Sequence, residues 1–455
     1  MTMTRTPRRI AVEILNRVED EGAFAEPLLD TYLSRSPKTK AQDKGLLTQI
    51  IYGTIRTRGR LDWIIETLYQ GEFASMDTGI KNILRAGIFQ LLFMDRIPGF
   101  AAVDEAVKTA KKLHPAAARL VNAVLRNFIR RKDAIPYPDK EEDPALYISI
   151  YHSHPLWLVT KWIEMFGVEE TEAFCKANNQ IPPLAVRVNM LKTTRNRIEE
   201  EFVQSGFEVS KTEFSPDGLI VSNPPMPVRY TDLYNTGMIQ IQDEGSQLIG
   251  HLVSPRRGED ILDVCAGVGG KTTHMAALME NQGRILALDI SDRKLDALKN
   301  NAARMGAAIV ETKCGDAREA LKKNLPKKFD RILVDAPCSG LGTLRRNPEI
   351  KWRITPREVD ECSSLQKAIL ENMAAYLNKG GILVYSTCTV TTQENDEVVR
   401  DFINRHPDFI CVHPPDAIDS RVVDDLGYFR SYPHRHGTDA FFGAVLAIGT
   451  ERRKI

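Results

Sequence analysis

No apolar run in this chain reaches the eighteen or so residues that a membrane-crossing helix needs. Seven cysteines in 455 residues, an odd number with no C-x-x-C pair, argue against a disulfide framework and a structural zinc site. Both points lead us to expect a reducing, cytoplasmic setting, with no membrane and no metal among the partners. The basic segment Met1–Ile10 is followed by Glu13, Glu19, Asp20 and Glu21, so the apolar stretch of a secretory signal is missing. No repeat or low-complexity segment suggests a solenoid or a tail. An excess of one charge is also lacking, with 61 Lys/Arg against 60 Asp/Glu.

What is present is uneven. Residues 1–140 carry 23 Lys/Arg against 16 Asp/Glu, and the remainder 38 against 44. A basic module joined to an acidic one points toward nucleic acid, against the plainer reading of ordinary surface scatter. The length predicts two or three domains. Residues 1 to about 132 read as all-helical, with apolar spacing at Ile10, Val12, Ile14, Leu15 and Val18 and at Ile83, Leu84, Ile88, Leu91 and Leu92. Lys111 to Lys132 pairs a dense basic set with an expected buried stripe of Leu120, Val121, Val124, Leu125 and Ile129. Asp133 to Pro144, with three prolines and an acidic cluster, reads as a linker. Residues 145–235 read as a small α/β module, with strands at Val186–Asn189, Phe207–Val209 and Leu219–Val221 and a helix at Arg195–Ser205. From about 236, short apolar runs at 261–264, 284–288, 331–334 and 382–385 alternate with helical patterns, which predicts a mostly parallel sheet covered by helices.

The chemistry falls at the C-terminal ends of those strands. The first strand enters Cys265-Ala266-Gly267-Val268-Gly269-Gly270-Lys271, a turn whose glycines allow close approach to a ligand. A phosphate-binding Walker loop needs Gly where Cys265 stands, and a dinucleotide fingerprint needs Gly where Thr272 stands. S-adenosylmethionine, with a carboxylate and no phosphate, remains. Asp289 follows the second strand, placed to accept from ribose hydroxyls, and Asp316 follows the third, beside an adenine pocket. Each alone is more often a helix cap. The fourth strand runs into Asp335-Ala336-Pro337-Cys338 and the fifth into Ser386-Thr387-Cys388. A lone cysteine there is usually a small buried hydrophobe, whereas two on neighbouring strands suggest nucleophilic chemistry. Thiolate addition to C6 of cytosine would make C5 reactive enough to attack a methyl-sulfonium.

These motifs resemble the RNA cytosine-5 methyltransferases of the bacterial Sun/Fmu type, RsmB-like in make-up, over nearly the whole chain. Tyr52-Gly53, Leu84-Arg85, Gln90-Leu91 and Asn122–Arg126 resemble that family's NusB-like RNA-binding domain. His154–Trp157, Arg187-Val188-Asn189, Gln242–Gln247, Glu394-Asn395 and Gly437–Phe442 agree further along. The resemblance implies a Rossmann-like class I S-adenosylmethionine-dependent methyltransferase domain at 236–450. It is preceded by an all-α NusB-like domain at 1–140 and a small α/β RNA-binding module at 141–235. It implies Cys388 as nucleophile, Cys338 acting later in proton removal or product release, and Asp335 against the cytosine near N3. Cys265, Ala266, Gly267, Val268, Gly269, Gly270, Lys271, Asp289, Asp316 and Asp335 would form the cofactor site. It implies 16S rRNA as substrate; apart from the resemblance, a monomer is expected. Val268 stands where the family usually has Pro, and Ala440 where Gly is common. The same chemistry on tRNA, and a non-catalytic ribosome-assembly factor, are the alternatives.

Overall fold

The computed structural model describes residues 6–36, 39–319 and 328–449. The chain folds into two compact units, Met1–Gln180 with Leu344–Arg353, and Ile181–Thr343 with Ile354–Ile455.

The first unit is helical: α1 Pro7–Asp20, α2 Ala25–Arg35, α3 Ala41–Arg56, α4 Arg58–Leu68, α5 Thr78–Phe93, α6 Gly99–Leu113, α7 Ala118–Arg131, α8 Pro144–Tyr151, α9 Leu156–Phe166 and α10 Val168–Asn178. α1 starts at a proline behind Thr6, whose hydroxyl accepts from the Arg9 amide. Helices α1–α7 share one apolar core. The basic stretch expected at Lys111–Lys132 is split at Pro115, which lacks an N–H and holds His114 out of helical conformation. In α7 the buried face is Val121, Val124, Leu125 and Phe128, while Ile129, expected to be buried, is 43% exposed. The expected linker is a packed strap: Ile135 is buried, and Trp63 Nε1 donates to Pro136 O at 2.8 Å. Residues 144–178 are three helices, and the strands of the expected α/β module begin only at Leu184.

The motif residues of this unit are occupied in holding it together. Arg85, 2% exposed, donates to Asp62 Oδ1 at 2.5 Å and Glu19 Oε2 at 2.6 Å. Gln90 accepts from Arg8 Nε at 2.6 Å. Leu344–Arg353 joins the unit through hydrogen bonds that no sequence pattern announces. Lys351 Nζ donates to Arg56 O at 2.9 Å, and Trp352 Nε1 to Ile55 O at 2.7 Å.

The second unit contains two sheets. The smaller, of order β2-β3-β1-β4, is antiparallel and comprises β1 Leu184–Val188, β2 Glu208–Lys211, β3 Gly218–Ser222 and β4 Ile239–Ile241. It packs with α11 Arg195–Gln204 around Val186, Ile198, Phe202 and Leu219. The short helix α12 Asp232–Asn235 leads into β4. β4 is too short for alternation to reveal it in the sequence.

The larger sheet has β5 Asp260–Val264, β6 Arg284–Asp289, β7 Val310–Cys314, β8 Phe329–Asp335, β9 Leu377–Thr387, β10 Phe409–Val412, β11 Phe429–Ser431 and β12 Phe441–Ile448. Its order is β10-β12-β9-β8-β5-β6-β7, with β11 also on β12. β5 to β9 pair in parallel, and β12 closes antiparallel on β9. Alternate residues face opposite layers. Leu262, Val264, Ile332 and Val334 meet α16 Pro356–Ala374 and α17 Asp396–Arg405. Ile261, Ile285 and Leu333 meet α13 Glu244–Val253, α14 Gly270–Leu278 and α15 Asp292–Met305. A last short helix, α18 Pro433–His436, precedes β12. From β5 the chain builds β6 and β7 on one side and then crosses to β8 on the other. The crevice beyond β5 and β8 is therefore the topological switch point, where open α/β sheets take their ligands.

Candidate active site

At the β5 end the backbone is bent to form a cradle. Cys265 has φ 61°, Gly267 58° and Gly269 83°, left-handed values that favour glycine. The Gly269 amide closes the turn on Ala266 O at 3.1 Å, and Val268 lies on the outside, more than half exposed. Asp289 binds the turn from the neighbouring strand: Oδ2 accepts from Gly267 N and Oδ1 from Ser291 N, each at 2.9 Å. Ile290, beside it, exposes two-thirds of its surface. Asp316 also lies past its strand, but here its carboxylate accepts from Arg318 Nε at 3.0 Å. Burial, with the carboxylates of Asp335, Asp289 and Asp263, pushes the Cys265 thiol up to about 12, which disfavours its thiolate.

Lys271, on the first turn of α14, donates through Nζ to Asp335 Oδ2 at 2.6 Å, and Ser386 Oγ donates to Asp335 Oδ1 at 2.8 Å. Burial works against the lysine charge, but Asp335 more than offsets it and the lysine is held above its ordinary range. The residue expected in the cofactor loop thus also bridges β5 to the cysteine edge.

The two cysteines come together beyond β8 and β9, with Sγ atoms 3.3 Å apart. The hydrogen bond to Cys388, followed by burial, raises the Cys338 thiol well above its ordinary range. Its protonated form is thereby favoured, and either sulfur can donate across the contact. Gly342 is required by close approach: its amide donates to Cys388 O at 2.9 Å, and a Cβ there would lie 2.1 Å from Ala440 O. Ala440 is itself buried and donates to Gly342 O at 2.9 Å, so its methyl is accommodated.

Several residues that carried only family likeness in the sequence gain physical roles. Arg187, fully buried, donates from β1 to Gln242 Oε1 at 2.5 Å, Gly270 O at 2.6 Å and Thr273 Oγ1 at 3.0 Å, so it fastens the small sheet to the start of α14. Asn189 Nδ2 donates to Met305 O at 2.7 Å. Other groups had no signal at all. Asp263 lies on β5 where alternation puts a core residue. Thr272 Oγ1 donates to its Oδ2 at 2.5 Å, and its buried Oδ1 has no hydrogen-bond partner among the described residues. Burial, with Asp335 and Asp289 nearby, pushes its carboxyl up to about 7. Asp217, His251 and His274 meet from three distant segments. Both imidazole Nε2 atoms contact Asp217 Oδ2, at 2.9 and 3.0 Å. Among the described residues this trio is close enough to share an ion, and those distances suit hydrogen bonds equally.

Comparison with known proteins gives the family. Residues 251–447 match the family model described as 16S rRNA methyltransferase RsmB/F, residues 5–130 the NusB family, and residues 154–229 the RsmF/B-like ferredoxin-like domain. A Bacillus subtilis protein named probable ribosomal RNA small subunit methyltransferase B is 35% identical over 96% of this chain and 97% of its own length. The ribosomal RNA small subunit methyltransferase B of Pectobacterium carotovorum is 33% identical over 96% of this chain and 98% of its own. Among solved structures, PH0851 superposes at a TM-score of 0.82 with 29% identity, covering 98% of this chain and all of the other. A methyltransferase homologue from Pyrococcus horikoshii superposes at 0.58 with 27% identity, covering 67% of this chain and 98% of that chain. With a class I sheet, a glycine turn at its switch point and full-length likeness to named methyltransferases, the chain belongs to the RsmB/F methyltransferase family.

Proposed function

We propose that this enzyme methylates C5 of a cytosine in 16S rRNA through a covalent adduct between Cys388 and C6, with S-adenosylmethionine as methyl donor. The observation that carries the reading is the thiol pair 3.3 Å apart beside the Lys271–Asp335 pair, at the switch point of the sheet. The names of the relatives support rRNA as the substrate class. The cofactor fits the residues present. The turn at 265–270 leaves room for close approach, Asp289 keeps lone pairs beyond its two backbone contacts, and Ile290 offers an apolar face to a purine. When bound, S-adenosylmethionine supplies an electrophilic methyl group.

The chain's own residues supply the activation. Cys388 as thiolate adds to C6, and the electron pair displaced reaches C5. Cys338, favoured as the thiol, lies within hydrogen-bond reach of the Cys388 sulfur. Asp335, kept in place by Lys271 and Ser386, meets the N3 edge, and a proton passed from the Lys271–Asp335 pair to N3 neutralises the charge that addition places there and stabilises the adduct. Once Cys388 is bonded to carbon its sulfur is a weaker acceptor; Cys338 then gives its own proton to solvent and as thiolate takes the C5 proton, the C5–H electron pair forms the C5–C6 double bond, and the C6–S bond breaks with its pair returning to Cys388. Neither C5 nor C6 is accessible within a stacked duplex, so the base is taken from a loop or flipped out. The domain division is read as 1–140, 141–235 and 236–450, supported by family-model matches at 5–130, 154–229 and 251–447. The basic first domain docks RNA through phosphates. The enzyme is read as a cytoplasmic monomer whose chemistry uses no metal. Among the described residues no helix is long and apolar enough to cross a membrane.

Bisulfite sequencing of rRNA and tRNA from cells with and without the gene tests the substrate. Loss of one 16S position is expected, and loss confined to tRNA would overturn it. Labelled RNA on a denaturing gel tests the chemistry. Cys388→Ala is expected to abolish methylation and form no adduct, whereas Cys338→Ala accumulates a complex that survives denaturation. The opposite pattern reverses the two roles, and normal turnover in both removes the covalent mechanism.

A further inference from the structure

We propose that Glu394 is the positioning residue that sets the contact between the two thiols, an inference that rests on the covalent reading of the site. The ladder between β8 and β9 ends at Asp335 and Ser386, so both cysteines sit beyond it, on loops. Backbone bonds there are sparse: Ala336 N to Ser386 O and Gly342 N to Cys388 O, each at 2.9 Å. A single buried carboxylate takes over where the ladder stops.

Glu394 is fully buried. Its Oε1 accepts from Ser339 N at 2.7 Å and Gln366 Nε2 at 3.1 Å. Its Oε2 lies 2.5 Å from Ser339 Oγ, 2.7 Å from Thr391 Oγ1 and 3.1 Å from Thr389 Oγ1. The Ser339 and Thr389 hydroxyls are also 2.7 Å apart. Ser339 and Thr389 are the residues that directly follow Cys338 and Cys388. One side chain therefore grips both loops one residue past each sulfur. Gln366 extends the grip to α16, since the same Nε2 donates to Pro337 O at 2.9 Å. The neighbouring residue secures the second loop alone: Asn395 Oδ1 accepts from Thr387 Oγ1 at 2.6 Å, and its Nδ2 donates to Thr389 O at 3.1 Å.

Burying a carboxylate is costly unless it is surrounded by donors. An apolar or amide side chain would fill the same space at lower cost. What only the carboxylate offers is two oxygens that both accept, so that donors from two loops and a helix converge without competing. Glutamine would turn one of those oxygens into a donor pointed at other donors. The loops would then settle at a different spacing, and displacement of about an ångström at a reacting group lowers rates by about a hundredfold.

The test uses the full-length Glu394→Gln enzyme with two readouts. The first is single-turnover methylation of rRNA, expected to fall about thirtyfold or more, while the calorimetric Kd for S-adenosylmethionine and the KM for RNA change less than about threefold. The second is independent of catalysis: oxidation by diamide, which takes two thiols to one disulfide and is itself reduced to a hydrazine. The Cys338–Cys388 disulfide, followed by peptide mapping, is expected to form about tenfold more slowly in the variant, because the sulfurs must close to about 2.05 Å. If Glu394→Gln does not fold, Thr391→Val removes one donor and is expected to show the same two effects at about three- to tenfold. Unchanged rates in both readouts overturn the proposal, as does a loss of cofactor affinity equal to the loss of rate. Should Cys388→Ala still methylate while Glu394→Gln slows the disulfide, the covalent reading fails and the positioning role stands.

Discussion

The two ends of the switch point hold their functional groups by different means. At β5 and β6 what is held is backbone: the Asp289 carboxylate fastens a turn through the amides of Gly267 and Ser291, and positive φ angles shape the cradle. At β8 and β9 side chains do it: Asp335 is fixed by Lys271 and Ser386, and the cysteine loops by Glu394. Backbone shaping demands particular residues at short spacing and so leaves a pattern in the sequence. A side-chain network draws on residues up to 64 positions apart, as Lys271 and Asp335 are, and leaves none.

Asp335→Asn should break the side-chain end. It keeps size but loses the charge that meets Lys271, at a site where one preorganised electrostatic group contributes about 10²–10³ in rate. A fall in kcat of that order, with cofactor affinity within about threefold, is the expected kinetic and calorimetric result. A change in KM alone would assign Asp335 to binding.

Asp289→Ala should break the backbone end instead. The Gly267 and Ser291 amides lose their acceptor, and the ribose hydroxyls lose a charged partner at about 1.5–3 kcal/mol. Calorimetry is expected to show a Kd for S-adenosylmethionine raised about 10- to 100-fold, with kcat at saturating cofactor changed far less. Unchanged affinity would separate Asp289 from the cofactor.

Asp263 sharpens the comparison, because it stands between the two ends and touches neither ligand group. Its carboxyl is pushed from 3.8 up to about 7 by burial. The folded protein therefore binds this proton more tightly than the unfolded chain does. That contribution to stability is complete below the unfolded value and is lost as pH rises from about 4 through about 7. Asp263→Asn, which cannot ionise, is expected to flatten this slope and raise the Tm at pH 8 by several degrees. Thermal melts across pH 4–8 check it, and an unaltered slope would show that Asp263 is ionised throughout.

How far the sequence reached depends on the range of the interaction involved. The parallel sheet, its strand ends and the cradle at 265–270 were legible, since strand alternation and glycine spacing act over a few residues. The stop at Pro115 was also local, but Lys111–Lys132 reads through it because the helical period resumes in phase enough to hide the break. Packing of the proline-rich strap was hidden for the opposite reason: Pro136 accepts from Trp63, 73 residues earlier.

By itself the sequence determined which groups are present at the strand ends and in what order: the glycine turn, Asp289, Asp335 and the two cysteines. Tertiary structure alone decided that Cys338 and Cys388 meet at 3.3 Å, that Lys271 reaches across to Asp335, and that Leu344–Arg353 folds with the helical unit. It also decided that Arg85 and Gln90 are committed to internal hydrogen bonds within that unit. The physical reason is that backbone conformation is dictated by neighbours along the chain, whereas ionisation and side-chain contact depend on what the folded chain brings within a few ångströms.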